Sequence, residues 1–130
     1  MVIPIFKSHY SIGRSILTLE KPEDVLENGP DSIINLCLES KIENLYLVED
    51  SIGGFLQGYI NSAASDIGFR FGLRLTVCDD MLQKDEESKL RCSKYIIFAN
   101  NKEGYQRLIK INTAAATDGF YYTARADFKT

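Results

Sequence analysis

The sequence has few of the residues that build metal centres. It contains one histidine and three cysteines in 130 residues, and no two cysteines have CxxC spacing. An odd number of thiols without that spacing argues against a disulfide framework and against a zinc site, so we expect reduced cysteines. No apolar run approaches the ~20 residues of a membrane span, and the N-terminus becomes polar too early for a signal peptide. We therefore expect a cytoplasmic protein without membrane contact.

An excess of positive charge is also missing. The formal net charge is −3, whereas domains that grip nucleic acid usually present a basic face to the phosphates. We therefore expect no direct binding of nucleic acid. With 45% hydrophobic residues the chain is long enough for one core and short for two, which predicts a single domain over residues 1–130.

Hydrophobic periodicity predicts alternating strands and helices. Short apolar runs indicate buried strands, period-two alternation indicates a strand at 69–77, and three- and four-residue spacing indicates helices. This order favours an α/β fold with a mostly parallel sheet flanked by helices. The predicted elements are a strand at 2–6, a connection at 11–29, a helix at 31–40, a strand at 44–48, a helix over 55–64, the strand at 69–77, a solvated loop or exposed helical turn at 79–94, a clearly buried strand at 95–99, and a helix that follows the turn at 100–105 and carries apolar residues at 108, 109 and 111.

Several segments resemble a known family. Residues 99–108 read ANNKEGYQRL, and they are followed by GFYY at 119–122 and RADF at 125–128. These segments are similar to the stretch of PHP domains in bacterial DNA polymerase III alpha subunits that reads approximately LLAKNEEGYKNLLKLVS and then GFYYKPRID. Upstream, SHYS at 8–11 resembles the family's HSEYS. The resemblance covers most of the chain and is strongest over 95–128, while 45–50 and 69–77 correspond to family strands that end in AITDH and GCEFYV.

The resemblance implies a fold and a chemistry. An intact PHP domain is a distorted (β/α)7 barrel that gathers histidines and carboxylates around two or three metal ions for phosphoester hydrolysis. The present chain corresponds to the N-terminal half of that domain, so it is expected to form a partial PHP-like barrel, truncated relative to the family. Whether it is a fragment of a longer polymerase or a short free-standing protein is open.

The metal ligands of the family are replaced in this sequence. A lysine is a poor ligand because its ammonium repels a dication, and an isoleucine has no donor atom. The resemblance therefore implies that no metal site forms as in the family, and we expect neither a bound metal nor another cofactor. The first His-x-His motif falls on Ile5 and Lys7, the histidine of the TDH motif on Asp50, the glutamate of the third strand on Thr76, and the histidine near the fourth strand on Ser93 or Lys94.

Three residues are the weak candidates for a catalytic role. Glu49 and Asp50 follow a predicted strand, where α/β proteins often place active groups, although caps of the next helix occur there too. His9 is a possible general base or displaced ligand, but a lone histidine is more often a surface or hydrogen-bonded residue.

Three further motifs favour structural interpretations. Asp79 and Asp80 are adjacent in a loop and are typical of a solvated turn. Gly53 and Gly54 belong to no phosphate-binding glycine pattern, so tight packing of a helix start is the better explanation. The aromatic run at 120–122 is the kind that stacks on bases, but the resemblance explains it without that role.

The predicted function is that of a catalytically silent PHP-like module with a structural or docking role in DNA replication. Such a half barrel has two open sheet edges, so a free-standing form is expected to self-associate or to bind a replication protein. The alternative is a metal-dependent phosphoesterase or 3′-5′ exonuclease-like activity that uses His9, Glu49 and Asp50 with ligands from a partner subunit. A generic α/β interaction module is a third possibility.

Overall fold

The computed structural model describes residues 3–11 and 13–130. The predicted strand residue Val2 and residue Ile12 of the predicted connection lie outside the described residues. The described chain is an α/β protein with a mostly parallel sheet and flanking helices, and it divides into two compact units, Met1–Gly72 and Leu73–Thr130.

Five strands, four α-helices and one short 3-10 helix, Pro22–Asp24, make up the described elements. Their bounds are β1 Ile5–Phe6, α1 Ile33–Glu39, β2 Asn44–Glu49, α2 Phe55–Ala64, β3 Gly68–Cys78, α3 Glu86–Leu90, β4 Cys92–Phe98, α4 Lys102–Ala116 and β5 Arg125–Ala126. The strand order is β1-β2-β3-β4, and β5 pairs with β3. No described helix has both the length and the apolar character needed to span a membrane.

In the first unit, β1 and β2 are parallel neighbours. Ile5 lies opposite Tyr46 and Phe6 opposite Leu47. Parallel pairing aligns the carboxyl ends of the two strands, so the residues that follow β1 and β2 meet at one edge. The core of this unit contains Leu19, Ile33, Ile34, Cys37, Leu45, Leu47, Val48, Ile67 and Phe71.

Helix α2 packs its aromatic side chains against the start of β3. The Phe55 ring lies 5.8 Å from the Phe69 ring and 5.4 Å from the Phe71 ring, measured between centroids. Tyr59 stacks on Phe55 at 5.7 Å, one helical turn away. The three- and four-residue spacing thus predicts the helix but not its buried face, which consists of Gly58, Asn61 and Ser62. The side chains of Leu56, Tyr59 and Ile60 are exposed.

In the second unit, the end of β3 pairs in parallel with β5, with Thr76 opposite Arg125 and Val77 opposite Ala126. Helix α4 contacts β5 and buries Leu108. Its first turn is capped by the Asn101 side chain, which accepts a hydrogen bond from the Gly104 N–H at 2.8 Å.

Most predicted elements are confirmed, with corrections in burial and extent. The segment predicted as the most clearly buried strand is β4, and six of its seven residues are exposed. β4 also begins at Cys92, inside the predicted loop 79–94, and the helical turn expected there is α3. The first strand is reduced to two residues, and the Ile5 side chain, predicted to be buried, is 57% exposed. Burial depends on what packs against a strand, which an apolar run does not reveal.

Candidate functional site

Polar side chains gather where β1 and β2 end, within the first unit. Lys7 and Ser8 follow β1, Glu49 is the last residue of β2, and Asp50 follows it. The two predicted acidic candidates thus lie at the carboxyl edge of a parallel strand pair, where open α/β sheets place ligands and catalytic groups. Their surroundings differ sharply.

The Glu49 carboxylate is fully buried, and both of its oxygens accept hydrogen bonds. One oxygen, Oε1, accepts the Ser8 N–H at 2.8 Å and the Ser8 hydroxyl. The other oxygen, Oε2, accepts the Ser11 hydroxyl. A carboxylate without solvent contact needs such donors, because burying an unsatisfied charge is costly. Its oxygens are therefore occupied in holding the loop after β1.

The two serine hydroxyls are oriented by backbone donors. The Ser8 Oγ accepts the Tyr10 N–H at 3.2 Å, and the Ser11 Oγ accepts the Asp50 N–H at 3.1 Å. Each hydroxyl has one hydrogen, so each donates it to Glu49 while it accepts from an amide. Both serines are buried, which makes them structural links between the loop and the end of β2 and leaves neither hydroxyl accessible as a nucleophile.

Asp50 is instead paired with a lysine. The Lys7 Nζ lies 3.1 Å from the Asp50 Oδ2, and the side chains are 22% and 39% exposed. In the resemblance, these two positions carry histidine ligands of the metal cluster. In this chain the Lys7 ammonium forms an ion pair with the Asp50 carboxylate, at the two positions that would have to supply ligands to a dication.

His9 lies on the surface beside Tyr10. The two ring centroids are 4.4 Å apart, and the backbone N–H of His9 donates to the Leu17 carbonyl at 2.7 Å. Among residues 3–11 and 13–130, no carboxylate hydrogen bonds to the His9 imidazole. A general base usually needs such an orienting partner.

The Gly53–Gly54 pair makes room for Tyr10. A Cβ on Gly54 would lie 2.9 Å from the Tyr10 Cδ2 atom, so a larger residue would displace the ring. The Tyr10 hydroxyl donates to the Gln57 Oε1 in α2 at 2.7 Å. These contacts agree with the prediction that the glycines serve the packing of a helix start.

The donor set does not fit a two-metal hydrolase. Such a centre needs several oxygen and nitrogen ligands that hold two ions about 4 Å apart. Glu49 is enclosed with both oxygens hydrogen bonded, and Asp50 is neutralised by Lys7. No group of three or more His, Cys, Asp or Glu side chains is placed to hold a metal within the described ranges.

The second unit has a lysine at another position where the resemblance expects a ligand. The Lys94 Nζ on β4 donates to the Thr76 Oγ1 on β3 at 2.5 Å. Thr76 stands where the family has its third-strand glutamate, and Lys94 is one of two positions for the fourth-strand histidine. A hydroxyl and an ammonium are a stable hydrogen-bonded pair and a poor ligand pair.

Asp79 and Asp80 border a surface cavity of about 230 Å³ that is also lined by Gln83, Glu87, Ser88 and Arg91. The Asp80 Oδ1 accepts the Leu82 N–H at 2.9 Å, which is the pattern of a local turn. Arg91 pairs with Glu87 at 3.0 Å, one helical turn apart. These contacts agree with a solvated turn.

Arg125 is the residue that sequence reasoning missed in the second unit. Its guanidinium is buried and donates to the carbonyls of Gly119 at 3.0 Å, Met81 at 3.1 Å and Gln83 at 3.0 Å, and to the Ser88 hydroxyl at 3.2 Å. The planar fork of arginine suits several acceptors at once. Its position in the RADF segment is the signal in the sequence, but the segment alone does not distinguish a buried arginine from an exposed one.

Asp127 ties the C-terminal segment to the loop after β3. The Met81 N–H donates to its carboxylate at 3.0 Å and, with smaller contributions from the Thr130 hydroxyl and the Lys129 N–H, holds the pKa of Asp127 below its ordinary value. Asp127 and Arg125 therefore both hydrogen bond to Met81 in the loop after β3, and their role is structural.

In the first unit, the missed residues are Ser8 and Ser11. They belong to the SHYS segment on which the resemblance depends, but their bonds to a residue about 40 positions away carry no local signal. No protein-family model and no curated protein matches the chain. The PHP resemblance therefore stays a prediction made from the sequence.

Proposed function

We propose that this chain is a catalytically silent PHP-like module with a structural or docking role beside a bacterial-type DNA polymerase III alpha subunit. The single observation that carries the proposal is the Lys7–Asp50 ion pair next to the buried, hydrogen-bonded Glu49 carboxylate. The proposed barrel arrangement and the link to replication are supported by the sequence resemblance alone.

The charges at this edge explain why catalysis is not expected. A dication near Lys7 would be repelled by the Lys7 ammonium. The ammonium already neutralises the Asp50 carboxylate, so the dication would have to displace it from Asp50. Recruiting Glu49 would require breaking its bonds to Ser8 and Ser11 in a site without solvent access. Both costs oppose a metal, by different physical routes.

The alternative activity has a narrower basis. Asp50 and His9 both reach solvent, so a partner subunit has access to them and would need to bring the remaining ligands. This would make the chain part of a shared phosphoesterase or exonuclease site. The same experiment separates the two functions.

The experiment measures metal content and hydrolysis together. The purified chain is equilibrated with Mn²⁺ or Zn²⁺, desalted, analysed for metal, and assayed with bis(p-nitrophenyl) phosphate. We expect substoichiometric metal and no hydrolysis above buffer. Stoichiometric metal, with hydrolysis that is lost in Asp50→Ala, would overturn the silent module and support the alternative.

Two variants sharpen the interpretation. Lys7→His removes the ammonium and adds an imidazole beside Asp50, so it should bind Zn²⁺ more tightly than the parent chain. Lys110→His, on the exposed surface of α4, adds an imidazole without a neighbouring vacated carboxylate and is the matched control. Equal Zn²⁺ affinity of both variants would show that Lys7 is not what prevents metal binding at Asp50.

A further inference from the structure

The exposed face of β4 is unusual for an edge strand. It is the last strand in the order β1-β2-β3-β4, and four consecutive apolar residues, Tyr95, Ile96, Ile97 and Phe98, have side chains that are 36–47% exposed. Edge strands are normally protected by charges, prolines or bulges because they present unpaired backbone groups. Apolar residues on both faces make β4 a surface that favours another strand.

The one charged residue of β4 does not protect this edge. Lys94 directs its ammonium to the Thr76 hydroxyl on the neighbouring strand at 2.5 Å. The charge is thus held over the sheet on the side of β3. A partner strand would meet the apolar side chains first.

One face of β4 borders an apolar cavity. The cavity has a volume of about 170 Å³ and includes Leu75, Tyr95, Ile97, Ile111 and Phe128 in its lining. The Phe128 ring packs edge-on against Tyr95 with centroids 5.6 Å apart, and its side chain is 79% exposed. This aromatic pair extends the apolar surface from the strand towards the C-terminal segment.

We propose that β4 docks with β4 of a second copy of this chain in an antiparallel pair centred on Ile96. This register places Tyr95 opposite Ile97 of the other copy, an aromatic and β-branched pair of the kind that stabilises sheets. Lys94 falls opposite Phe98, so the two ammonium groups do not face each other. Residues of equal parity share a face, so the two cavities join on one side of the continuous sheet.

The exposed apolar area of β4 and Phe128 is about the size that a small specific interface needs. At about 200 Å² for a side chain of this size, the exposed parts of Tyr95, Ile96, Ile97, Phe98 and Phe128 amount to roughly 500 Å² per copy. Complete burial of these residues in two copies would cover about 1,000 Å², which is the lower bound for a specific interface. The inference rests on β4 and does not depend on the PHP resemblance or on the absence of catalysis.

Sedimentation across low to high micromolar concentration tests the pair. We expect the parent chain to form a dimer, and Ile97→Lys to lower the association constant at least tenfold because it places an ammonium opposite Tyr95. Ile16→Lys is the matched control, since Ile16 is 78% exposed and lies outside every named strand. A parent chain that stays monomeric, or a dimer unaffected by Ile97→Lys, overturns the proposal.

Cross-linking tests the register independently of the lysine variants. In a Cys92→Ser background, Ile96→Cys places two thiols across the proposed axis, so mild oxidation with diamide should join them as one disulfide while diamide is reduced to its hydrazide. The matched control Ile16→Cys should stay uncrosslinked. Equal cross-linking of both variants, or none at position 96, would contradict the antiparallel pair even if Ile97→Lys failed to fold.

Discussion

Replacing Glu49 should destabilise the first unit strongly, because its carboxylate is the shared acceptor of three hydrogen bonds from the loop after β1. Glu49→Ala removes the acceptors, leaves the Ser8 N–H and the hydroxyl hydrogens of Ser8 and Ser11 without an acceptor, and opens a cavity. Each orphaned buried group costs about 1–3 kcal/mol. Partial relaxation of the loop lowers the sum, so we expect a loss of about 3–5 kcal/mol in the free energy of unfolding.

Glu49→Gln separates the charge from the shape. The amide keeps one carbonyl oxygen for Ser8 and presents an NH₂ group to Ser11, whose hydroxyl must then accept where it had donated. The Ser11 Oγ already accepts the Asp50 N–H, so its own hydrogen is left without an acceptor. We expect a smaller loss of about 1–3 kcal/mol in the free energy of unfolding. The double variant Glu49→Gln with Ser11→Ala also removes that hydroxyl, so it should lose less stability than the sum of the two single variants.

The assay is urea unfolding followed by circular dichroism, with Glu43→Gln as the exposed control. Glu43 lies just before the same strand, and its replacement should change the free energy of unfolding by less than about 0.5 kcal/mol. A Glu49→Ala variant within about 1 kcal/mol of the parent would refute the structural role of Glu49. If the same variant also lost bound metal, Glu49 would have to be reassigned as a ligand.

Three further predictions follow from the buried groups. The Met81 N–H lowers the pKa of Asp127 from its ordinary 3.8, so the carboxylate contributes its full stabilisation at neutral pH and loses it as the pH falls through the native pKa. Asp127→Asn should therefore be less stable at pH 7, and its melting temperature should fall less steeply with acid. A parallel fall of melting temperature in the variant and the parent chain would contradict this. Arg125→Lys should lower the free energy of unfolding by about 2–4 kcal/mol, because one ammonium cannot reach four acceptors in the guanidinium geometry, and a loss below about 1 kcal/mol in urea would refute it. Burial raises the pKa of the Cys37 and Cys78 thiols. Titration with a chromogenic disulfide at neutral pH should therefore show one fast-reacting thiol, Cys92, and no fast-reacting thiol in Cys92→Ser. Two or more fast-reacting thiols in the parent chain would contradict the burial of Cys37 and Cys78.

The extent of the elements could be read from the sequence where periodicity was strong. The alternation from Phe69 to Val77 predicts β3, because it reflects a face that is buried. The spacing of apolar residues from Phe55 to Ala64 predicts α2 as a helix, although the buried residues of that helix are Gly58, Asn61 and Ser62. The two-residue β5 carries no periodic signal. It exists because its backbone pairs with Thr76 and Val77, which is a tertiary contact.

The site could be predicted in its location but not in its chemistry. That Glu49 and Asp50 end a parallel strand follows from a local apolar run. The different roles of the two carboxylates depend on Lys7, Ser8 and Ser11, which come from another strand and its loop. Neighbouring acids in a sequence therefore differ in burial and in available oxygens for reasons that only the paired strand supplies.

The disagreement over β4 has a physical meaning of its own. Tyr95, Ile96 and Ile97 form an apolar run typical of a strand covered on both faces, and in the described residues the same side chains remain about 36–47% exposed. Sequence and structure agree if a second molecule covers β4, because a strand that is buried in an interface has the same composition as a strand buried in a core. The hydrophobic pattern that misled the burial prediction is then itself an argument for the docking of β4.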